Sequence, residues 1–264
     1  MPQPLVSLII PVHNGSKHIL NLANNINSFT YKNIEVLIGD DASTDDTVEK
    51  IQEYQNLFPN LCIVQSVTNI GPGAMRNLLI SKANGLYIAI QDCDDLSNSR
   101  RIEVLVNFLE TNAAYDFVGS NCSLNWNGRR WDSITCPTLP TLRNWLLQNS
   151  VVHASIIFRK DVFLKCKYSE SLRIGEDYYF LTSAYLKDFK FYNIHEDLYT
   201  YNISKTDIKS RSSKYFLDIL KAKAAISSLF TGPLSFAFLV INILKLIIGS
   251  MRSLFYILSH QNNS

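Results

Sequence analysis

Four consecutive residues, Asp92-Cys93-Asp94-Asp95, follow the apolar run Leu86-Tyr87-Ile88-Ala89-Ile90. That run is short, contains β-branched residues and is bounded by polar ones, the pattern of a buried strand. Carboxylates crowded at the end of such a strand repel one another and need a cation or hydrogen-bond donors nearby. Oxygen ligands suit hard cations such as Mg²⁺ or Mn²⁺, which commonly share their coordination sphere with substrate phosphates. In an open α/β sheet the carboxyl ends of the strands are also where ligands bind. The stretch therefore points to a metal-assisted reaction on a nucleotide diphosphate. Two further acidic pairs fall at comparable places, Asp40-Asp41 after another apolar run and Glu176-Asp177 after Gly175. Taken singly, each has an ordinary explanation as a turn, a cap or a helix N-terminus that favours negative charge.

The elements that must position these residues are legible in the periodicity. Residues 5–10 read as a first buried strand stopped by Pro11, and a loop through His13 and Asn14 leads into a helix. Ile19, Leu22, Ala23 and Ile26 lie at the spacing of one helical face. Residues 34–38 form a second strand, and Ser43 with Asp46 three residues later has the form of a capping box. A strand at 61–64, a Gly71-Pro72-Gly73 turn into a helix over 74–83, the strand before Asp92 and a helix carrying Ile102, Leu105, Val106 and Leu109 complete the regular part. Strands alternating with helices in this way predict an α/β fold, a mostly parallel sheet covered on both faces. Beyond Gly119 the pattern loosens. Asn125-Trp126-Asn127-Gly128 predicts a hairpin turn, because Asn-Gly favours the positive φ such turns require. A helix near 142–147, a strand near 155–158 and a helix from Gly175-Glu176-Asp177 follow.

At 264 residues the chain can bury one sizeable core. Its net charge of +2 and the lack of a long basic run give no reason to expect nucleic acid. Five scattered cysteines without CxxC spacing predict reduced thiols in a cytosolic setting and no zinc. The N-terminal apolar run is short and has no basic leader, so it is not expected to act as a signal peptide.

In order, these blocks resemble the family 2 glycosyltransferases of the GT-A fold. The matching residues are Val6-Ser7-Leu8-Ile9-Ile10-Pro11-Val12-His13-Asn14, Asp40-Asp41-Ala42-Ser43-Thr44-Asp45, and Asn69-Ile70-Gly71 with Ala74-Met75-Arg76-Asn77. Ala83-Asn84-Gly85 with the Asp92 to Asp95 cluster, and Gly175-Glu176-Asp177-Tyr178, complete the match over roughly residues 5–203. The resemblance implies an enzyme that moves a sugar from a nucleotide-diphosphate donor to an acceptor hydroxyl, usually with inversion. It implies that Pro11 and His13 line the nucleoside pocket, with His13 where tyrosine is commoner. Asp41 is implied at the nucleobase, and Arg76 near the nucleotide, where a guanidinium makes charge-assisted bonds. Asp92 and Asp94 match the DxD motif. Asp94 is then the preferred ligand of Mn²⁺ or Mg²⁺, Asp92 a second ligand or sugar contact, and Asp95 and Glu176 further substrate-binding residues. Asp177 falls at the position of the base.

His153 and His195 are expected to be a structural histidine and a surface residue, and the tryptophans 126, 131 and 145 to pack in the core unless one stacks on a sugar. A sugar-phosphate nucleotidyltransferase would need a glycine-rich, basic N-terminal loop, which Val12-His13-Asn14-Gly15 does not supply. An inactive relative that only binds nucleotide-sugar is disfavoured by Asp41, Asp94 and Asp177 occurring together.

After residue 203 the composition changes, which divides the chain into a catalytic domain, 1–203, and a helical appendage, 204–264. The appendage opens with a basic segment and continues into an apolar stretch over 234–258. Lys245 and Arg252 oppose a transmembrane placement, at about 2.5–3.5 kcal/mol each near mid-bilayer. Asn242, Lys245, Gly249 and Arg252 share one helical stripe, as in a helix lying in the membrane interface or one completing the core. Peripheral attachment to the anionic cytoplasmic leaflet, and a saccharide or lipid-linked saccharide acceptor of a surface polysaccharide or lipopolysaccharide pathway, are the expectations.

Overall fold

The structure is a computed structural model that describes residues 3–126, 129–147, 150–203 and 213–242. Strands β1 (Val6–Val12), β2 (Ile34–Asp41), β3 (Leu61–Ser66) and β4 (Tyr87–Ile90) alternate with helices α1 (Ile19–Asn27), α2 (Thr47–Glu53) and α3 (Pro72–Lys82). A short β5 (Leu96–Ser97), α4 (Arg101–Thr111), β6 (Phe117–Trp126) and β7 (Arg129–Ile134) follow. Next come α5 (Leu142–Leu147), β8 (Ile157–Arg159), α6 (Val162–Lys165), α7 (Glu176–Leu186) and β9 (Phe191–Ile203). Two further helices span Ser213–Ser227 and residues 233–242.

All the strands join one sheet in the order β3-β2-β1-β4-β8-β6-β9-β5, with β7 paired to β6. The β3-β2-β1-β4 half is parallel, and the rest is mixed because β8 runs antiparallel to both β4 and β6. Parallel strands connected through helices finish at the same edge, and the register makes this concrete. Val12 lies opposite Asp40, and Ile9 opposite Ile90, so Pro11, Asp41 and Asp92 all emerge at one end of the sheet.

Burial on both faces explains the near-continuous apolar runs of β1, β2 and β4. Leu8, Ile10, Val36, Ile38 and Ala89 pack on one face against Leu22, Ile26, Ile51 and Leu105. Ile9, Leu37, Ile88 and Ile90 pack on the other against Met75, Leu79, Phe180 and Trp145. The predicted helical stripes of α1 and α4 are buried as the spacing requires.

Two readings change, and a third holds. Ser43 makes no capping box; α2 starts only at Thr47, whose backbone N–H and hydroxyl both use Asp45. Ser43 instead accepts the Asn14 N–H at 2.8 Å, and Thr44 donates to the Asn14 side chain at 2.8 Å, lacing the β1 and β2 loops together. The long strand β9 has no clean alternation of apolar and polar residues, since Asn193, His195, Glu196 and Asp197 interrupt it, and periodicity missed it. The hairpin is present as β6 and β7, with Trp126 opposite Arg129, while Asn127 and Gly128 lie outside the described residues.

The described part of the C-terminal segment is packed on the domain rather than set apart from it. Phe238 is fully buried, stacks on Phe230 at 5.2 Å between ring centres and meets Tyr178 of α7 at 6.1 Å. Lys223 lies over the Tyr178 ring, and Asn242, also buried, donates to the Phe238 carbonyl at 2.9 Å. Lys245, Gly249 and Arg252 lie outside the described residues. Among those described, no helix is long and apolar enough to cross a membrane. Removing the buried Phe238 ring is expected to cost about 3–5 kcal/mol. Urea unfolding of Phe238→Ala measures this, and a midpoint equal to that of the unaltered chain would mean the segment contributes nothing to the fold.

Candidate active site

At the carboxyl edge of β1, β2 and β4 the loops enclose a pocket of about 370 Å³. Pro11, His13, Asp41, Arg76, Asp92 and Asp94 all line it, so six of the expected residues converge although they are spread over the first 94 positions. A larger hollow of about 610 Å³, bounded by Tyr115, Leu142, Tyr185 and Phe191, lies away from this edge and contains none of them.

Asp41 ends β2 and is buried. Its two carboxylate oxygens accept the backbone N–H groups of Ile70 at 2.6 Å and Gly71 at 2.8 Å. That bidentate grip shapes the turn that starts α3, while Asp41 still forms part of the pocket wall. His13 is exposed beside it, with its ring Nδ1 2.8 Å from the Asp41 carbonyl. Gly71 has φ +91°, a conformation that disfavours any side chain. A Cβ there would also run into the Arg173 guanidinium. Arg173 donates to the Asn69 side chain at 2.6 Å and to its carbonyl at 3.0 Å, and it forms the opposite lip of the pocket. No sequence signal singled out Arg173. Its position two residues before Gly175 was the one available hint.

Beneath the pocket, the buried Arg76 side chain projects from α3 between two carboxylates. It donates to Glu176 at 2.7 Å and to Asp92 at 3.1 Å, and lies over the Tyr168 ring. Burial works against its charge, but Asp92 and Glu176 more than offset this and hold the guanidinium above its ordinary pKa. Glu176, expected at the substrate, is thus engaged in anchoring α7 to α3. Gly175, at φ +76°, turns the chain into α7. The next residue but one, half-buried Asp177, sits within electrostatic reach of Arg76 and Asp92. Burial pushes the Asp177 carboxyl upward, against the pull of the Tyr178 N–H and Arg76.

The strand-end cluster divides. Asp92 and Asp94 face the pocket, whereas Asp95 is set behind it and 2 % exposed. Asp95 accepts the Asn202 N–H at 2.8 Å and the Tyr199 hydroxyl at 3.1 Å, which ties β9 to the end of β4. Burial, with Asp92 adding to it, pushes its pKa up to about 8. The expected substrate contact from Asp95 is therefore replaced by a scaffold role, for which Tyr199 and Asn202 are the partners that the sequence did not reveal.

Among the described residues, no group of three or more His, Cys, Asp or Glu side chains is arranged to hold a metal unaided. Mg²⁺-type ions characteristically use one or two carboxylates and complete their sphere with water and substrate phosphates. Asp92 and Asp94, all-oxygen donors on one wall of an open pocket, fit that requirement.

The remaining candidates are placed elsewhere. His153 is buried, with its Nε2 2.8 Å from the Tyr168 hydroxyl, and burial and then Arg76 hold its pKa well below the ordinary value. It is a structural histidine, as expected. His195 is exposed and meets the Thr138 hydroxyl, while Glu196 faces Arg100 across 3.8 Å. Trp145 is fully buried in the core, whereas Trp131 is 68 % exposed.

A mostly parallel sheet flanked by helices, with carboxylates gathered at the ends of its parallel strands beside a pocket open to solvent, is an α/β architecture of the GT-A type. Residues 7–167 match the family described as Glycosyl transferase family 2, and the chain belongs to that family of glycosyltransferases. It is 32 % identical over 220 residues to the putative glycosyltransferase EpsE of Bacillus subtilis, covering 81 % of this chain and 79 % of EpsE. It is 28 % identical over 213 residues to the uncharacterized glycosyltransferase MJ1057 of Methanocaldococcus jannaschii, covering 78 % and 73 %. Among solved structures, S. aureus TarS 1–349 in complex with UDP-GlcNAc superimposes with a TM-score of 0.69 at 24 % identity, over 85 % of this chain and 66 % of that one. The mannosyltransferase PcManGT of Pyrobaculum calidifontis, in complex with GDP-Man and Mn²⁺, gives 0.66 at 16 % identity over 90 % and 68 %. At such identities these two show the shared fold. The chain spans about two thirds of the length of the solved TarS chain.

Proposed function

We propose that this glycosyltransferase transfers a sugar with inversion from a nucleotide-diphosphate donor to an acceptor hydroxyl, with Asp177 as the base. The observation that carries the reading is the Arg76 bridge. It ties Asp92 at the pocket wall to Glu176, the neighbour of Asp177, whose carboxyl has a raised pKa and lies within electrostatic reach of Asp92. Pro11, His13 and the wall around Asp41 would receive the nucleoside. A Mn²⁺ or Mg²⁺ ion held by Asp94 and Asp92 would supply positive charge against the leaving diphosphate. Asp177 would take the proton of the acceptor hydroxyl as its oxygen bonds to the anomeric carbon. The bond from that carbon to the diphosphate oxygen breaks on the opposite face, and the oxygen leaves with the electron pair. Asp177→Asn is expected to lower transfer by about 10²–10⁴-fold. Thermal stabilisation by the donor should persist in this variant. Near-normal transfer would remove Asp177 from the role. Because the base acts deprotonated and its pKa is raised, kcat/KM should fall as pH drops through a value above the ordinary carboxylate range of about 4.

Arg173 adds the cation that Arg76, already paired to two carboxylates, does not offer. Its guanidinium is exposed at the lip and held by neutral Asn69, so it suits the charged diphosphate rather than the nucleoside. A charge-assisted hydrogen bond contributes about 1.5–3 kcal/mol. Arg173→Ala should therefore weaken calorimetric binding of the nucleoside diphosphate by about 10–100-fold, with the matching nucleoside unaffected. Equal weakening of both ligands would show instead that the Asn69 turn had collapsed.

TarS carries the name poly(ribitol-phosphate) beta-N-acetylglucosaminyltransferase, and another relative, 30 % identical over 118 residues, is a putative teichuronic acid biosynthesis glycosyltransferase of Bacillus subtilis. These names support a saccharide or lipid-linked saccharide of a cell-surface polysaccharide as the acceptor of this chain. The sequence at 204–212 and 243–264, outside the described residues, belongs to the same proposal as a peripheral membrane contact, while 213–242 packs on the catalytic domain. The full chain should float with vesicles containing anionic lipid, and the double variant Lys245→Glu, Arg252→Glu should not. Failure of the unaltered chain to float would end the anchoring proposal.

A further inference from the structure

A further hollow, of about 520 Å³, is lined by Trp126, Arg129, Arg130 and Trp131 on the β6–β7 hairpin. Its form comes from a break in the pairing. Asn125 faces Arg130 and Leu124 faces Asp132, so Trp131 has no partner across the ladder. An extra residue of this kind re-aims a side chain, and bulges recur beside functional sites for that reason. Here the indole of Trp131 is 68 % exposed and tilted by 58° to that of Trp126, with ring centres 6.4 Å apart. Trp131 is thus turned to water beside a half-buried Trp126, an exposed aromatic surface on a strand pair that does not use Trp131 for its core.

Position and charge say what this surface suits. Trp126 follows Asn125, which donates to the Asn202 side chain at 2.8 Å, and Asn202 donates to the Asp94 carbonyl at 2.7 Å. The hollow is therefore joined to the strand-end cluster by two hydrogen bonds. Arg129 and Arg130 bring two guanidinium groups; Arg130 is paired with Asp197, and Asp132 caps its own neighbour's N–H at 2.8 Å. Arg129 is exposed and forms no ion pair among the described residues. Planar rings present apolar faces that suit the C–H faces of pyranose rings, and the guanidinium fork suits a carboxylate or phosphate.

We infer that the hairpin hollow is an acceptor subsite for an anionic saccharide chain, its sugar rings against Trp126 and Trp131 and its acidic groups on Arg129 and Arg130. This rests on the transferase reading above, since it supplies the acceptor side of that reaction.

The test uses the full chain, ¹⁵N-labelled, and its three indole N–H signals, with buried Trp145 as the internal control. Titration with tetragalacturonic acid should move the Trp126 and Trp131 signals, identified by Trp126→Phe and Trp131→Phe, and leave Trp145 in place. Neutral maltotetraose should bind at least ten-fold more weakly, and Arg129→Ala with Arg130→Ala should erase that difference. No movement, or equal movement with both sugars, overturns the proposal. So does a stronger response to a dT oligonucleotide or to phosphatidylglycerol vesicles, or signals that depend on protein concentration, which would mark a nucleic-acid, membrane or self-association surface. The melting shift produced by UDP with Mn²⁺ is read on the same samples. Its absence would count against the donor site, whereas its presence in Trp131→Phe alongside lost saccharide binding isolates the subsite.

Discussion

The buried guanidinium of Arg76 sits where three parts of the molecule meet: α3, the end of β4 and the start of α7. Burying an ion costs several kcal/mol unless partners replace its water. Arg76 meets that requirement with Asp92, Glu176 and the Tyr168 ring. The same contacts solve a second problem, since Asp92, Glu176 and Asp177 would otherwise crowd one region with like charge. Taking away one partner of a buried pair is more damaging than never having had the pair, because the remaining charge is left without its counterpart. The site and the fold therefore share one electrostatic constraint.

Around this centre, identical side chains have acquired different work through the donors that face them. Asp41 and Asp95 are both buried and both follow or end parallel strands. Asp41 meets two consecutive backbone N–H groups and organises the turn into α3. Asp95 meets a backbone N–H and a tyrosine hydroxyl and fastens β9. Asp92 and Asp94 lie on the pocket side, where a charged ligand can reach them. The helix that carries Asp177 is supported from outside by the C-terminal segment. A side chain at Gly175 would meet Ala222 of the helix Ser213–Ser227, and Phe238 and Lys223 both pack on Tyr178. A segment whose composition sets it apart from the catalytic domain thus helps to position the proposed base.

Much of this is legible in the sequence. Apolar runs in β1, β2 and β4 and the stripes of α1 and α4 report their burial locally, because strand and helix periods are written into consecutive residues. The acidic strand ends, together with Pro11, His13 and Arg76, could be gathered from ordered motifs. The family they resemble is the family to which the chain belongs. Strand β9 was not legible, because its pairing with β6 satisfies the backbone while its side chains follow no clean alternation. The capping box at Ser43 failed for a related reason, since Asn14, distant in sequence, competes for the same hydroxyl.

By itself the sequence determined the alternation of strands and helices, the fold class and the set of side chains able to do the chemistry, all of which depend on residue type and short spacing. Only the tertiary structure decided how those side chains are used: Asp95 turned to β9, Glu176 taken by Arg76, Arg173 brought to the lip, and Trp131 turned outward by a bulge. The physical reason is that a side chain's role follows from the donors, charges and water around it. Contacts such as the one between Arg76 and Glu176 join residues 100 positions apart, and no local pattern records them.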